Sequence, residues 1–503
     1  MRHSPLERLF NKAIEYQARG AFEKAVTAWR GILLNQPDYL PALNNLGIAL
    51  RHLGRIAESE AVLRTGIERH PDSPDLYISL GQTLQSWGLN DEAVQSLQTA
   101  ITLNPGKTAA HYDLGVLYLE RGDTAAAEAS FQKTLVLDEN HASALAALAD
   151  IRKSTGDFQA AVEMYSRAHA AAPDNASIET RLGIALLTIG DRAAGLPHYD
   201  ARWKTGILPA LDPGIPLWEG GPLNGRRLLV RAEQGLSTTL QFVRLLKLIQ
   251  DADDASSRVI LECQSELVEI LNGTRWLESV VPAGGEPPEA DVWAPMASLL
   301  RLMGSRLLGD DLEPVGDPVP YLRPDPAALA PWRQRLPKEG LAIGIAWSGG
   351  IPLLQTTRNA IPLQAFKPLA ALPGVTLVSL QKGEGRREIA TCGFPVVDLD
   401  ADLDAYGGAF VDSAALVTAL PLIVSADTPI AHLAGALGKS VWTALPPSPD
   451  WIWGNDGDAT PWYPTMTLFR RARGQDWTDV FTAMAAQLDH MRSMIGRAPG
   501  DTK

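Results

Sequence analysis

The chain repeats itself every 34 residues over its first third, and this period restricts the fold more than any other feature. Gly47, Gly81 and Gly115 are 34 apart, and Gly183 falls two periods further on. Pro37, Pro71 and Pro105 keep the same spacing, with Pro173 again two periods later. Ala25, Ala93, Ala127 and Ala161 hold a third register, while Trp29, Leu63, Leu97, Phe131 and Tyr165 fill a fourth with large apolar residues. Four registers kept together describe a helix pair repeated along the chain. The small residues let two helices approach, the large one fills the groove between them, and proline closes the unit. One pair cannot bury its apolar face alone, so the units must stack into a superhelix with a concave side.

These segments resemble tetratricopeptide repeats (TPRs), about five of them over residues 6–173. A sixth begins near Ala176, carries Gly183 and Tyr199, and runs into the next domain. The expected boundary of the array is residue 203. The resemblance implies peptide or protein binding in the concave groove. A dimerisation or spacer role is the alternative, and the enzyme-like half that follows favours acceptor binding.

Composition removes several classes. A chain of 503 residues is too long for a single core. A formal net charge of -13 argues against binding nucleic-acid phosphates, which needs clustered Lys and Arg. The first twenty residues lack an apolar stretch with a small-residue cleavage site, and no window reaches 18 apolar residues. Cys263 and Cys392, the two cysteines, make neither a CxxC pair nor a disulfide framework. A cytoplasmic location is therefore expected.

After Trp203 the period stops, and 208–225 is dense in Pro and Gly, as a linker is. Apolar runs at Arg227–Ala232, Arg258–Glu262 and Trp276–Val281 then alternate with helical stretches. The pattern restarts after Pro337 with Leu341–Trp347, Val375–Leu380, Val396–Leu399, Leu420–Ser425 and Lys439–Ala444. Strands alternating with helices predict parallel sheets. Residues 204–335 and 336–503 thus read as two Rossmann-like lobes, the GT-B plan, with ligand expected beyond the strand C-terminal ends. The fold class is multidomain: an all-α superhelix followed by an α/β pair.

The most specific motif is the segment Ser425 to Lys439, SADTPIAHLAGALGK, where a strand ends and a helix begins. Asp427 or Thr428 is placed to cap that helix, whose first N–H groups suit a diphosphate. The segment resembles the DTxxxH signature of family 9-type glycosyltransferases, which include the lipopolysaccharide heptosyltransferases. The resemblance implies that Asp427, Thr428, Pro429 and His432 line the site of a nucleotide-sugar donor. It also covers Trp347-Ser348-Gly349-Gly350 after the first strand of the second lobe, and Arg358-Asn359 before Ile361-Pro362-Leu363. Gln381-Lys382-Gly383 resembles the SLQKG element of TPR-fused bacterial transferases, and Asp450-Trp451, Trp453 and Trp462-Tyr463-Pro464-Thr465 resemble their aromatic C-terminal signature. Arg358 and Lys382 would neutralise phosphate there. Trp347, Ser348, Gly349 and Gln381 complete the implied donor set.

One departure matters. Where the family reads GLGD after the first strand of the first lobe, this chain has Gly235-Leu236-Ser237-Thr238, and threonine cannot accept a proton near neutral pH. Glu233 is then the candidate base, with a structural ion pair as its equal alternative. Asp398, Asp400, Asp402 and Asp404 make DxD-like steps, read as a solvated acidic loop and not as a metal site.

The overall plan resembles bacterial flagellin-modifying glycosyltransferases. It implies metal-independent transfer of a sugar, a nonulosonic acid carried as a CMP-sugar in that subgroup, to a protein hydroxyl presented by the repeats. O-GlcNAc transferases match less well. The position two before the repeat glycine reads Asn45, Ser79, Asp113 and Arg181, with no asparagine ladder, and no HPVG-like segment occurs. Two rival readings stay open: a TPR scaffold with an impaired transferase half, and a glycolipid glycosyltransferase. A homodimer is also left open.

Overall fold

The computed structural model describes residues 5–207, 214–253, 256–308, 319–348, 361–399, 403–404 and 409–495. The chain divides into two compact units, Met1–Arg152 with Ala160–Asp174, and Lys153–Gln159 with Asn175–Lys503.

The first unit is built from antiparallel helix pairs: α1 (Pro5–Ala18) with α2 (Phe22–Asn35), α3 (Leu40–His52) with α4 (Ile56–Arg69), α5 (Pro74–Ser86) with α6 (Asn90–Leu103), and α7 (Thr108–Glu120) with α8 (Thr124–Leu137), followed by α9 (Ala142–Ser154) and α10 (Phe158–Ala171). The sequence registers explain the pairing. A Cβ on Gly47 would lie 2.6 Å from Leu63 Cγ, and one on Gly115 would lie 2.6 Å from Phe131 Cε1. Only a residue without a side chain lets the second helix of the pair seat its large apolar residue so deeply. Leu63, Leu97 and Phe131 are accordingly buried.

A further register carries the turns. Gly20, Gly54, Gly88 and Gly122, again 34 apart, sit between the helices of their pairs with φ of 70°, 72°, 80° and 77°. That left-handed backbone favours glycine and stops each first helix. Along the first helices of three successive pairs, Arg51 donates to Gln82 Oε1 at 3.1 Å, and Gln82 Nε2 donates to Asp113 Oδ2 at 2.7 Å.

The sixth pair, α11 (Ala176–Thr188) and α12 (Arg192–Tyr199), belongs to the second unit. Leu187, Leu196 and Tyr199 share one apolar core with Trp218, Leu228 and Leu240. In packing terms, the array expected to end at 203 gives way to the second unit at Asn175, because the last pair buries its face against the α/β core.

That unit contains two all-parallel sheets. The first has the order β3 (Ser279–Pro282), β2 (Arg258–Cys263), β1 (Arg227–Arg231), β4 (Val292–Pro295). The second runs β10 (Met466–Arg470), β9 (Val441–Leu445), β8 (Leu422–Ala426), β5 (Leu341–Ala346), β6 (Val375–Ser379), β7 (Val396–Asp398). Helices α13 (Leu236–Asp251), α14 (Ser265–Asn272) and α15 (Leu299–Leu308) accompany the first sheet. Helices α16 (Pro326–Arg335), α17 (Lys367–Ala370), α18 (Val411–Ala419), α19 (Pro429–Ala436) and α20 (Trp477–Ile495) accompany the second. Strand order reverses between β5 and β8, and ligands of open parallel sheets bind beyond the strand ends at such a point. Helix α13, which follows β1, packs against α19, which follows β8, so the leading turns of both meet at that crevice. Among the described residues, no helix is long and apolar enough to cross a membrane.

Candidate functional site

Two cavities flank the meeting of α13 and α19. The larger, about 400 Å³, is lined by Ser348 after β5, Gln381 and Lys382 after β6, Thr428 and Pro429 after β8, and Leu236 of α13. The smaller, about 220 Å³, is lined by Thr238 of α13 and by Asp427, His432 and Asp450, among others.

Gln381 organises the first cavity. Its Oε1 accepts the backbone N–H groups of Trp347 at 3.0 Å and Ser348 at 2.9 Å, and its Nε2 donates to the Ser348 carbonyl at 2.7 Å. One buried amide thereby ties the loop after β5 to the loop after β6. Lys382 Nζ donates to the Leu403 carbonyl at 2.6 Å, which holds its charge at the cavity wall. Asp404, read from sequence as part of a solvated acidic loop, lines this wall instead. Its carboxylate accepts the Ser413 N–H at 2.9 Å and the Ser413 hydroxyl at 2.8 Å. Asp398 pairs with Arg386 at 2.8 Å, while Asp400 and Asp402 lie outside the described residues.

Trp347 does not face the cavity. Its indole donates to Glu388 Oε1 at 3.2 Å and packs edge-on to Phe366 in the core beneath the sheet. Its backbone is the part that shapes the site. Gly349 and Arg358 lie outside the described residues.

The DTxxxH segment builds the wall between the cavities. Thr428 sits at the cap position of α19, but its side chain caps no helix N–H. Ser425 Oγ donates to the Ala426 carbonyl at 2.7 Å, so the Thr428 hydroxyl, 2.9 Å from Ser425 Oγ, is left to donate to it. Pro429 occupies the first turn of the helix, where its missing N–H costs nothing. Asp427 accepts the Trp453 indole N–H at 2.8 Å on one oxygen, while its other oxygen lies 3.3 Å from His432 Nε2.

His432 is fully buried, and its tautomer follows from its neighbours. The Tyr321 hydroxyl donates to the Leu240 carbonyl at 2.8 Å, so it can only accept from Tyr463, with which it is hydrogen-bonded. The Tyr463 hydroxyl must then accept from His432 Nδ1, 3.0 Å away. Burial raises Tyr321 to about 12 and Tyr463 well above the ordinary tyrosine range, so the relay keeps its protons.

Glu233 departs from the candidate-base expectation. Its side chain is 1% exposed and lies 2.8 Å from Arg202 Nη2, and Oε1 also accepts the Ala297 N–H at 3.1 Å. Burial pushes its carboxyl up against the pull of Arg202. A carboxylate enclosed by a guanidinium and a backbone N–H cannot reach an acceptor hydroxyl. The structure thus places Glu233 in the ion-pair alternative, joining β1 to the loop after β4.

The second cavity contains a carboxylate to which the sequence reading gave no role. Asp450 precedes the short 3-10 turn Trp451–Trp453, and its Oδ1 accepts the Ile452 N–H at 3.3 Å. It reaches solvent through the cavity while protein surrounds it, and this setting together with nearby Asp427 raises its carboxyl to about 6. The aromatic signature contains it but assigns it no chemistry, because its setting depends on Asp427, 23 positions earlier.

Comparison with known proteins covers the two halves unevenly. Residues 10–74, 88–151 and 144–179 match tetratricopeptide repeat families, so these segments are TPRs. Protein FlbA of Caulobacter vibrioides is 27% identical over 339 residues, 63% of this chain and 55% of FlbA, so the chain spans about half the length of that relative. Among solved structures, a thermophilic TPR protein of Thermus thermophilus is 24% identical over 36% of this chain and 99% of its own, with a TM-score of 0.33. Pseudomonas aeruginosa pilF is 20% identical over 38% of this chain and 88% of its own, with a TM-score of 0.35.

Proposed function

Taking the N-terminal third as a TPR protein-interaction array, we propose that the chain is a metal-independent glycosyltransferase of GT-B type. It moves a sugar from a nucleotide sugar to a hydroxyl of a protein, flagellin-like in the resemblance, that the repeats recruit. The observation that carries this reading is the first cavity. Ser348, Gln381, Lys382, Thr428 and Pro429 come from three separate strand ends and surround one space of about 400 Å³ at the order reversal of a parallel sheet. That volume suits a nucleoside, and the Lys382 ammonium suits its phosphate.

In this mechanism the donor lies in the first cavity, with its anomeric carbon toward the second. The acceptor oxygen attacks that carbon while the bond to phosphate breaks, and the leaving nucleotide gathers negative charge. Lys382 and the dipole of α19 stabilise that charge as it develops. Asp427 is held by the Trp453 indole, which fixes the wall against which the sugar would rest.

The test is thermal stabilisation of the full chain by CMP, UDP, ADP and GDP, followed by nucleotide release from the matching sugar donors. A ligand bound only by the native state raises the melting temperature. A chain that none of the four nucleotides stabilises would refute the reading.

A further inference from the structure

The transferase reading leaves open which group receives the acceptor proton, since Thr238 stands where its resemblance family has a carboxylate and Glu233 is locked to Arg202. Resting on that reading, we propose that Asp450 is the base, acting from the second lobe across the smaller cavity.

Geometry selects it. Among the described residues lining that cavity, the carboxylates are Asp427 and Asp450. Asp427 is engaged on both oxygens, by the Trp453 indole on one and facing His432 Nε2 on the other, which fixes it as part of the wall. The Asp450 carboxylate accepts the Ile452 N–H on Oδ1, and Asp450 lines the cavity together with Ser237 and Thr238. The Tyr199 hydroxyl lines the same space but is pushed up to about 12 by burial, so it stays protonated.

The groups facing Asp450 are Asp427 and His432 of the DTxxxH segment, Tyr199 of α12, and Lys153. The surrounding protein mass and Asp427 raise it, the Ile452 N–H, His432 and Lys153 lower it, and the balance sits at about 6 even though the side chain is open to solvent. A base at that position is ionised near neutrality and still basic enough to draw a hydroxyl proton in the transition state. The step balances. The acceptor O–H proton passes to Asp450, the oxygen forms the bond to the anomeric carbon, and the anomeric carbon–phosphate oxygen bond breaks with its electron pair on the departing nucleotide. Asp450 then returns its proton to solvent.

The experiment uses the full chain with CMP-, UDP-, GDP- and ADP-sugars, water serving as acceptor, and reads nucleotide release between pH 4.5 and 8. Wild-type release should rise through about pH 6 and level off above it. Asp450→Asn and Asp450→Ser both keep an oxygen for the Ile452 N–H. They should lower release by about two to four orders of magnitude while nucleotide affinity is kept, and the acid limb should vanish. Unchanged release and an unchanged acid limb in both variants, with an active wild type, would overturn the assignment. A wild type that binds nucleotide but releases none from any donor would instead overturn the transferase reading beneath it.

Discussion

Arg202 Nη2 lies 2.8 Å from Glu233 Oε1, with the two side chains 6% and 1% exposed. The pair joins the 3-10 turn that follows the last repeat helix to the end of β1, and Asp200 braces it through Arg202 Nη1 at 2.6 Å. Glu233→Gln should therefore act on stability and leave chemistry alone. Removing one partner of a buried pair leaves an uncompensated charge, and with Asp200 still present the loss should fall near the lower end, about 3 kcal/mol. Urea unfolding of the second unit, followed by tryptophan fluorescence, measures it. A drop in nucleotide release with unchanged stability would return Glu233 to the chemistry.

Lys382→Ala and His432→Ala should differ in kind. Lys382 stands at the cavity wall, and its loss removes one charge-assisted bond to phosphate. Nucleotide affinity should fall by about tenfold to a hundredfold, or 1.5–3 kcal/mol, with melting little changed. His432 is buried between Tyr463 and Asp427, and truncating it takes one partner from each and opens a cavity in the core. The chain should melt several degrees lower before any nucleotide is added, and calorimetric titration with parallel melting curves separates the two effects.

Asp450 should also mark the pH dependence of stability. Its native carboxyl is raised to about 6 from 3.8, so between those values the folded chain binds more protons than the unfolded one. Stability therefore falls as pH rises through that window, and the loss is complete above about 6. Asp450→Asn cannot ionise, so its melting temperature relative to wild type should climb from pH 4 to pH 7. A difference that stays constant across the window would mean the carboxyl titrates alike in both states.

Gly115→Ala tests the helix pairing. The added methyl would meet Phe131 at 2.6 Å, far inside van der Waals contact. Overpacking should cost about 1–3 kcal/mol, more than the better helix propensity of alanine returns. Phe131→Ala in the same chain should relieve the clash, so the double variant should lose less than the two single losses added together. Helical ellipticity against temperature reads both.

The repeats were legible because four residue types recur at one spacing, and each type has a single steric job. Strands β1, β2, β5, β6, β7, β8 and β9 lie within two residues of the runs read from the sequence, since buried parallel strands are continuous apolar runs. Strands β4 and β10 were missed. Val292–Pro295 is four residues ending in proline, and Met466–Arg470 follows a Trp-Tyr-Pro-Thr stretch that reads as a loop. In the site, Ser348, Gln381, Lys382, Thr428 and Pro429 were legible as strand-end residues and do meet around one cavity. The ion pair of Glu233 was not, because Arg202 lies 31 positions earlier in a turn with no motif. Asp450 was hidden within an aromatic cluster for the same reason: its surroundings form only once the chain has folded.

The left-handed glycines at Gly54, Gly88 and Gly122 give the array a property of its own. Each marks the same phase of an identical junction, so a duplication or loss of 34 residues between any two of them rejoins the chain in register. The first unit can lengthen or shorten by whole modules while the backbone phase of each junction is kept, much as a ruler is cut at its graduations. Its length is therefore set in steps of one repeat, whereas the cavity-bearing unit has no such internal period.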